Sequence, residues 1–552
     1  MIGVISNTSE KDMAKEFFEL FKTPWEVYED GRDYDVVLCT ACDNDINKIR
    51  AKLVVIYCSA KTCSDDLHGI NIESVKQKVM VEYENINFPV YGNILIFGNK
   101  SKPLIKIKET KEVVGIKVNL KDKKMLRIGF DLFHEISFLL SSGQTVEYSL
   151  IPTMEIHISM LREWIVNSGL PLIEVPPVPP RYNFIVCLTH DVDFVGIRNH
   201  KFDHTMFGFV YRALIGSFVN VIRGRNSWTN LLKNWKAVLS LPFVYLGIVK
   251  DFWDEFDRYL EIENNLGSTF FIIPFKNRAG KDILGMEQRR RAARYDITDV
   301  KPEVKRLISY DCEIGLHGID AWYDAQKGIE EMNRISKEIG DTNIGVRMHW
   351  LYFFERSPKI IEEAGFFYDS TFGYNDAVGY KCGTIQVFRP LGVKRLLELP
   401  LHIQDTALFY SSRMALSEKK AFELVNTLIK NSKEYGGVLT INWHTRSLSP
   451  ERLWDGFYVN LLDELKAQNV WFGTARQVVT WFNKRRSVSF EDASTIDNRI
   501  HIKLSGMSDT SGPDLLLKVH HQAPQPSNNE AAEHLEIPFS DNMDMVIPLR
   551  HI

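Results

Sequence analysis

The sequence FIVCLTHDVDF, residues 184–194, decides the fold class of this chain. It begins as an unbroken apolar run, which is typical of a strand buried on both faces of a parallel sheet, and it ends with Asp191 and Asp193. Side chains two residues apart on a strand point to the same face, so both carboxylates can enter one cavity where the strand ends. One carboxylate can then hold a metal ion while the other stays free as a base.

Short apolar runs recur along the chain after this segment, at residues 267–275, 312–318, 344–350, 396–401, 437–444 and 470–473. Helical segments lie between many of them, with capping and stop signals such as Ser417 before a helix and Gly340 after one. This alternation of strand and helix predicts an α/β fold built as a distorted (β/α) barrel. Catalytic residues are then expected at the C-terminal ends of the barrel strands.

The chain divides into three predicted parts. Residues 1–175 alternate short apolar runs with helical periodicity, which predicts an N-terminal α/β domain. A proline-rich connector precedes the barrel of residues 182–484, and residues 486–552 predict a small C-terminal β-domain from short alternating runs. Within the barrel, residues 195–266 are rich in aromatic residues and leucine. We interpret them as a helical insertion that serves packing or acts as a substrate lid, rather than as a membrane element.

The overall composition is that of an ordinary globular protein, with 45% hydrophobic and 25% charged residues. The formal net charge is -4, so no global field favours nucleic acid as a partner. The longest apolar patch, residues 239–249, is too short for a bilayer core of about 30 Å, so we expect no integral membrane segment. The start is unlike a secretory signal and the seven cysteines are odd in number, which together predict a cytoplasmic protein.

Histidines recur at the ends of the later apolar runs. His317 follows one run, Arg347 and His349 follow the next, and His444 follows a third. A lone histidine is more often a structural residue than a catalytic one. Three of them at equivalent ends of later strands, with a carboxylate pair on the first strand, favour an active site.

These motifs resemble those of the NodB-type polysaccharide deacetylases, carbohydrate esterase family four, in the branch with a Thr-His-Asp-Val-Asp first motif and including allantoinase-like relatives. The resemblance covers about residues 182–482. It implies that Asp191 is the catalytic base and that Asp193 and His317 bind the metal. It further implies that Arg347 orients the base and that His444 is the general acid.

The chain departs from the family pattern at two positions. The family usually has a second histidine four residues after the first, but here the residue four after His317 is Ala321. The family's arginine motif usually ends in proline, and this chain has His349 there. Because catalytic zinc usually takes three protein ligands, a third must come from elsewhere. The candidates are His349 and Asp320, and we favour His349 because imidazole suits zinc.

The resemblance therefore implies a hydrolase that removes N-acetyl groups from a carbohydrate with the help of a divalent metal, expected to be zinc. Asp405 or Asp369 could orient His444 through its second ring nitrogen. One alternative is a non-catalytic carbohydrate-binding or scaffold protein that kept the fold, and Ala321 is its best support. Another is a hydrolase of a different small amide. The sequence does not indicate which sugar is bound or how many copies assemble.

Overall fold

The computed structural model describes residues 1–41, 46–98, 102–120, 122–222, 227–496, 499–506, 512–521, 534–540 and 542–548. The chain forms two units. The first unit comprises Met1–Pro180, Cys382–Thr384 and Thr480–Ile552, and the second comprises Arg181–Lys381 and Ile385–Val479.

The N-terminal part of the first unit is an α/β structure. Its strands are β1 (Ile2–Ile5), β2 (Trp25–Val27), β3 (Tyr34–Cys39), β4 (Ala51–Tyr57), β5 (Ile72–Tyr83), β6 (Ile86–Phe97), β7 (Lys102–Ile107), β8 (Val113–Asn119), β9 (Lys124–Ile128) and β10 (Leu172–Glu174). Its helices are α1 (Lys11–Phe21), α2 (Cys63–Leu67), α3 (Leu132–Ser141) and α4 (Thr153–Val166). Among the described residues, β1 to β9 form one mixed sheet in the order β2-β1-β3-β4-β9-β8-β6-β5-β7.

The second unit alternates strands and helices. Its strands are β11 (Ile185–Val192), β12 (Ser268–Ile272), β13 (Glu313–Gly318), β14 (Val346–Met348), β15 (Tyr368–Asp369), β16 (Leu397–Glu398), β17 (Ile403–Gln404), β18 (Val438–Asn442) and β19 (Trp471–Phe472). Its helices are α5 (His204–Tyr211), α6 (Ser217–Ile222), α7 (Trp228–Tyr245), α8 (Phe256–Glu263), α9 (Lys301–Ser309), α10 (Ala325–Ile339), α11 (Ser357–Ala364), α12 (Asp405–Phe409), α13 (Glu418–Tyr435) and α14 (Asp455–Lys466). Helix α15 (Ala475–Ser487) runs across the boundary between the two units.

The strands of the second unit form a parallel sheet with the order β16-β15-β14-β13-β12-β11-β18-β17, and β19 pairs with the start of β11. Every strand pair in this sheet is parallel, so the carboxyl ends of neighbouring strands lie along one edge. Within the part of the chain that the structure describes, no pairing joins β16 to β17. The predicted barrel is therefore an open, half-barrel arrangement of parallel strands.

The C-terminal segment, for which the sequence predicts a small β-domain, is rich in strands and belongs to the first unit. Its strands are β20 (Ser489–Ile496), β21 (Arg499–Ser505), β22 (Leu516–His520), β23 (His534–Pro538) and β24 (Asp544–Pro548). They form two antiparallel three-stranded sheets, and in one of these β22 pairs with β10. This pairing joins the segment to the N-terminal residues within the first unit.

The segment between β11 and β12 contains the helices α5 to α8. A π-helical turn, Arg212–Gly216, joins α5 to α6, so that His204–Ile222 is one continuous helix of 19 residues. By length and composition alone this helix could cross a membrane, and it is the one such helix among the described residues. The expectation of no integral membrane segment was based on residues 239–249, and it stays a prediction for this second apolar segment.

Candidate active site

The carboxylate pair lies where β11 ends. Asp191 is the penultimate residue of β11, and Asp193 follows its last residue. In the register between β11 and β18, Thr189 lies opposite Asn442. The Asn442 side chain therefore reaches Asp191 twice: its Nδ2 donates to Asp191 Oδ2 at 2.9 Å, and its Oδ1 accepts from the Asp191 amide at 3.1 Å. This contact fixes the orientation of the Asp191 carboxylate.

Arg347 holds the other oxygen of Asp191. Its Nη1 atom donates to Asp191 Oδ1 at 3.1 Å and to the Thr189 hydroxyl at 2.6 Å, while Nε donates to the Ser370 carbonyl oxygen at 2.9 Å. The guanidinium is fully buried in β14. Burial alone would raise the pKa of Asp191, but the charge of Arg347, together with those of His317 and His444, outweighs burial, and the pKa lies below its ordinary value. Asp191 is therefore an ionised carboxylate at neutral pH.

Asp193, His317 and His349 form a cluster of metal-ligand type. Asp193 Oδ1 lies 3.3 Å from Nε2 of His317 and 3.3 Å from Nε2 of His349, and the three ligand atoms all lie within 4.8 Å of one another. His317 Nδ1 lies 3.0 Å from the Arg347 carbonyl oxygen, to which it can only donate. This bond leaves the lone pair of His317 Nε2 facing Asp193, which is the usual arrangement of a histidine ligand.

His349 reaches the cluster because β14 ends one residue before it. Arg291 stabilises the turn that follows β14, because its Nε and Nη2 atoms donate to the His349 carbonyl oxygen at 3.2 and 2.9 Å. Trp350, with φ of 66°, takes the left-handed conformation that lets the backbone turn away after His349. Burial lowers the pKa of His349 well below its ordinary value, so the imidazole is neutral and its lone pair is available to a metal.

The donor set fits a divalent cation. Asp193 Oδ1 is a buried atom without a hydrogen-bond partner in the described structure, and two imidazole nitrogens face it. A buried carboxylate oxygen left without a donor is costly, and a cation would satisfy it. One carboxylate and two imidazoles are also the ligand types that zinc takes in catalytic sites.

His444 follows β18 and lies on the other side of Asp193, with its Nε2 atom 3.8 Å from Asp193 Oδ2. Its Nδ1 atom lies 2.6 Å from Oδ1 of Asp405, the first residue of α12, and its backbone amide donates to Asp405 Oδ2 at 2.7 Å. Burial alone would lower the pKa of His444. The charges of Asp405 and Asp193 outweigh it and raise this pKa to about 9, so the ring carries a proton at neutral pH.

Two of the candidate residues from the sequence lie elsewhere. Asp320 is outside the metal-ligand cluster: its Oδ1 accepts from the Lys281 amide at 3.0 Å and its Oδ2 lies 3.3 Å from Lys327 Nζ. Asp369 is not beside His444 but opposite Glu398 in the β15–β16 register. Of the two carboxylates considered as the partner of His444, the structure brings Asp405 to it.

Sequence reasoning missed Asn442. It is a neutral residue at the end of an apolar strand, and no charge marks it as functional. The available signal was its position two residues before His444, because side chains at that spacing share a face of the strand. Only the strand order, which places β18 beside β11, shows that its amide meets Asp191.

These groups line one cavity of about 1120 Å³. Asp191, Asp193, His317, His349 and His444 are all in its wall. Basic residues predominate over acidic ones in the rest of the lining, and they are Lys276, Arg278, Lys281, Arg289, Arg290, Arg291, Arg294, Lys327, Arg413 and Arg452. Of these, Lys276, Lys281, Arg289, Arg290 and Arg294 are exposed. The cavity is large enough for a sugar-sized ligand and presents positive charge to it.

No family model matches this chain, and no curated protein matches it. Several solved structures do. A polysaccharide deacetylase from Mycobacterium smegmatis is 17% identical, with a TM-score of 0.35, over 56% of this chain and 94% of its own. The Puue allantoinase is 14% identical, with a TM-score of 0.34, over 55% of this chain and 92% of its own.

A polysaccharide deacetylase from Pseudomonas aeruginosa PAO1 is also 14% identical, with a TM-score of 0.34, over 56% of this chain and 94% of its own. These three proteins are described as two polysaccharide deacetylases and an allantoinase. Likenesses at these identities and TM-scores do not determine an activity, so an activity has to be inferred from the geometry of the site.

Proposed function

We propose that this chain is a metal-dependent hydrolase that removes N-acetyl groups from a carbohydrate. The observation that supports the proposal is the convergence of three kinds of group on one cavity. These are an ionised carboxylate, Asp191, a protonated imidazole, His444, and between them a cluster of metal-ligand type that includes Asp193. A protein that only bound sugar would need neither a base nor an acid on separate strands.

In this proposal Asp191 is the general base. It accepts a proton from the water that attacks the acetyl carbonyl carbon, because Arg347 keeps it ionised and Asn442 holds its orientation. His444 is the general acid and donates its proton to the sugar nitrogen as the carbon–nitrogen bond breaks. Acetate and a free amine result. Asp405 holds the His444 ring, as the acid partner of a histidine does in many hydrolases.

Asp193, His317 and His349 would hold the metal. A divalent cation bound there would supply Lewis acidity toward the acetyl carbonyl oxygen. The third ligand, His349, compensates for Ala321, which stands where the resemblance leads one to expect a histidine. Ala321 is fully buried and offers no ligand atom.

The positive charge of the cavity wall supports a further detail of the proposal, namely that the carbohydrate carries an acidic group. Arg289 and Arg290 are exposed residues of the lining, and no carboxylate partner lies within salt-bridge distance of either among the described residues. A phosphate or carboxylate on the substrate would meet their guanidinium groups, which suit both anions.

The direct test measures acetate released by the purified, metal-loaded protein from a panel of N-acetylated glycans, with and without phosphate or uronate groups. Acetate release that disappears on chelation and returns with added zinc supports the proposal. Stoichiometric metal without acetate from any glycan would favour the non-catalytic carbohydrate-binding alternative. Hydrolysis of small amides in place of glycans would favour the second alternative, a hydrolase of a different small amide.

A further inference from the structure

The helix His204–Ile222 carries an exposed apolar stripe. Its exposed large side chains are Phe207, Tyr211, Leu214, Ile215, Phe218 and Ile222. Their spacing of three or four residues places them along one face of the helix. Only 22% of the most apolar stretch of 18 residues in this helix is buried. The helix therefore presents an apolar surface that the rest of the described second unit leaves uncovered.

Helix α7 also carries a stripe of exposed apolar side chains. Its exposed large apolar residues are Trp228, Leu232, Trp235, Leu239 and Phe243, and Leu246, Ile248 and Val249 continue the exposed surface beyond its end. Leu239 is 76% exposed and Trp228 is 65% exposed. The spacing is again three or four residues, which gives one face. We call the exposed apolar side chains of residues 207–249 the apolar face.

A separate set of residues packs the two helices together. Phe209, Ala213, Ala237, Leu241 and Val244 are buried in one hydrophobic cluster. Each helix thus has one stripe that packs inward and a second stripe that the packing does not need. Single exposed apolar residues are ordinary on soluble proteins, but two neighbouring helices that each expose a stripe of large apolar side chains indicate an interaction surface.

The charge of this segment indicates what covers the apolar face. Residues 204–250 contain no Asp or Glu, although the whole chain has a net charge of -4. They contain the basic residues Arg212, Arg223, Arg225, Lys233, Lys236 and Lys250, of which Arg223 and Arg225 lie outside the described residues. A surface with exposed tryptophans, aliphatic side chains and basic residues only is typical of helices that lie on an anionic lipid bilayer.

We propose that the apolar face docks this protein onto an anionic phospholipid membrane, with both helices lying in the interfacial layer. Arg212 lies in the middle of His204–Ile222, and a charge at the centre of a bilayer is costly, so the arrangement favours lying in the interface over crossing it. Trp228 and Trp235 suit the headgroup level. Two copies of this surface would bring like charges together, which disfavours self-association through it.

The membrane surface also bears on the active site. His204 and Thr205, at the start of the first helix, line the catalytic cavity. Docking through the apolar face therefore brings the cavity wall close to the lipid surface. The docking itself does not depend on the proposed function, and it can be tested without any assay of activity.

The test is co-sedimentation of the full-length protein with lipid vesicles. We expect the protein to pellet with vesicles of phosphatidylcholine and phosphatidylglycerol, and less with phosphatidylcholine alone. The double variant Ile215→Gln/Leu239→Gln should lower the affinity for vesicles about a hundredfold, because each change removes one large apolar side chain from the lipid contact. The variant Lys233→Gln/Lys236→Gln should reduce the preference for anionic vesicles.

The matched control is Ile308→Gln/Val459→Gln. These two residues are 42% and 38% exposed on the second unit and lie outside the apolar face. The control should bind vesicles like the unchanged protein, and thermal unfolding should show that all variants fold. Wild-type protein that pellets with neither vesicle would overturn the proposal. A dimer that Ile215→Gln/Leu239→Gln converts to monomer, without vesicle binding, would replace lipid by a second copy of the chain.

Discussion

The Nδ1 atom of His444 lies 2.6 Å from Oδ1 of Asp405, a fully buried carboxylate at the start of α12. The second oxygen of Asp405 accepts a hydrogen bond from the His444 backbone amide. Asp405 therefore holds His444 both by its imidazole ring and by its backbone. This leaves Nε2 directed toward Asp193 and the cavity, where a leaving group would take its proton.

Asp405 should act on the rate through His444. In Asp405→Asn the carboxylate charge that orients and protonates the imidazole is lost, so we expect kcat to fall by about 10²- to 10⁴-fold. KM and bound metal should stay within about twofold, since neither the cavity wall nor the ligand cluster changes. Asp369→Asn is the matched control and should keep most of the activity. Equal losses in the two variants would contradict the role of Asp405.

Substitution of each of the two carboxylates of the first motif should have a different effect. Asp191→Asn keeps the metal-ligand cluster intact but removes the base, so it should retain stoichiometric metal and lose most acetate release. Asp193→Asn removes the anionic ligand and should lose the metal. Metal analysis of both proteins after dialysis decides the matter. If both retain metal in full, Asp193 is not a ligand.

His349 should be the third ligand. His349→Ala removes one of two imidazoles that face Asp193 Oδ1, so bound zinc should fall below stoichiometric after dialysis. The melting profile of the metal-free form should change little. Asp320→Asn keeps an acceptor for the Lys281 amide and should bind zinc like the unchanged protein. Full zinc retention in His349→Ala would contradict the assignment.

The sequence could predict the strands that are long and apolar. β11, β12, β13 and β18 each lie within a predicted run, because a buried parallel strand shows as an unbroken hydrophobic segment. β15 and β17 have two residues each and leave no periodicity to read. For this reason the sequence predicted a site at the strand ends but could not choose between Asp369 and Asp405, which end or follow those two short strands.

Of the two polar partners of Asp191, the family resemblance indicated Arg347, but nothing in the sequence indicated Asn442. Asp191 meets Arg347 and Asn442 only because β11 pairs with β18 and is separated from β14 by two strands, β12 and β13. Strand order is a property of the whole sheet, and no local pattern encodes it. The candidate ligand His349 was different: the sequence could indicate it because a histidine stands in place of the usual proline of the arginine motif, while the histidine motif has Ala321 where a second histidine is usual.

Substrate recognition by the basic wall should show as a change in KM. Arg289→Gln/Arg290→Gln should raise KM for a phosphate- or uronate-bearing glycan about tenfold, with kcat little changed, because two charge contacts are lost. The effect should shrink at high salt, which screens exposed charges. Arg356→Gln, an exposed arginine outside the cavity lining, is the control. An unchanged KM would remove the acidic group from the proposed substrate.

The last prediction concerns stability rather than catalysis. Asp369 and Glu398 lie opposite each other on β15 and β16, and both are almost completely buried. Burial and the charge of the neighbouring carboxylate raise the pKa of Glu398 well above its ordinary value, and burial raises the pKa of Asp369 too. The folded state therefore holds protons on this pair that the unfolded chain releases.

The sign of the pH dependence follows from this difference. Because the unfolded state binds fewer protons, the contribution of the pair to the free energy of unfolding is fully present below the ordinary carboxylate pKa, near pH 4, and is lost as the pH rises through the raised values. Each unit of elevation corresponds to about 1.4 kcal/mol. Glu398→Gln removes one of the two like charges and keeps an acceptor for the Phe372 amide. The variant should therefore lose less stability than the unchanged protein between about pH 4 and pH 8. Thermal unfolding midpoints at several pH values measure the effect.

Glu362 is the contrasting control: burial would raise its pKa, but the backbone amides of residues 394–396 lower it. Glu362→Gln should for that reason be less stable than the unchanged protein, by an amount that grows as the pH rises from about 4 to neutral. Parallel midpoint curves for Glu398→Gln and the unchanged protein would show that the pair does not share a raised pKa.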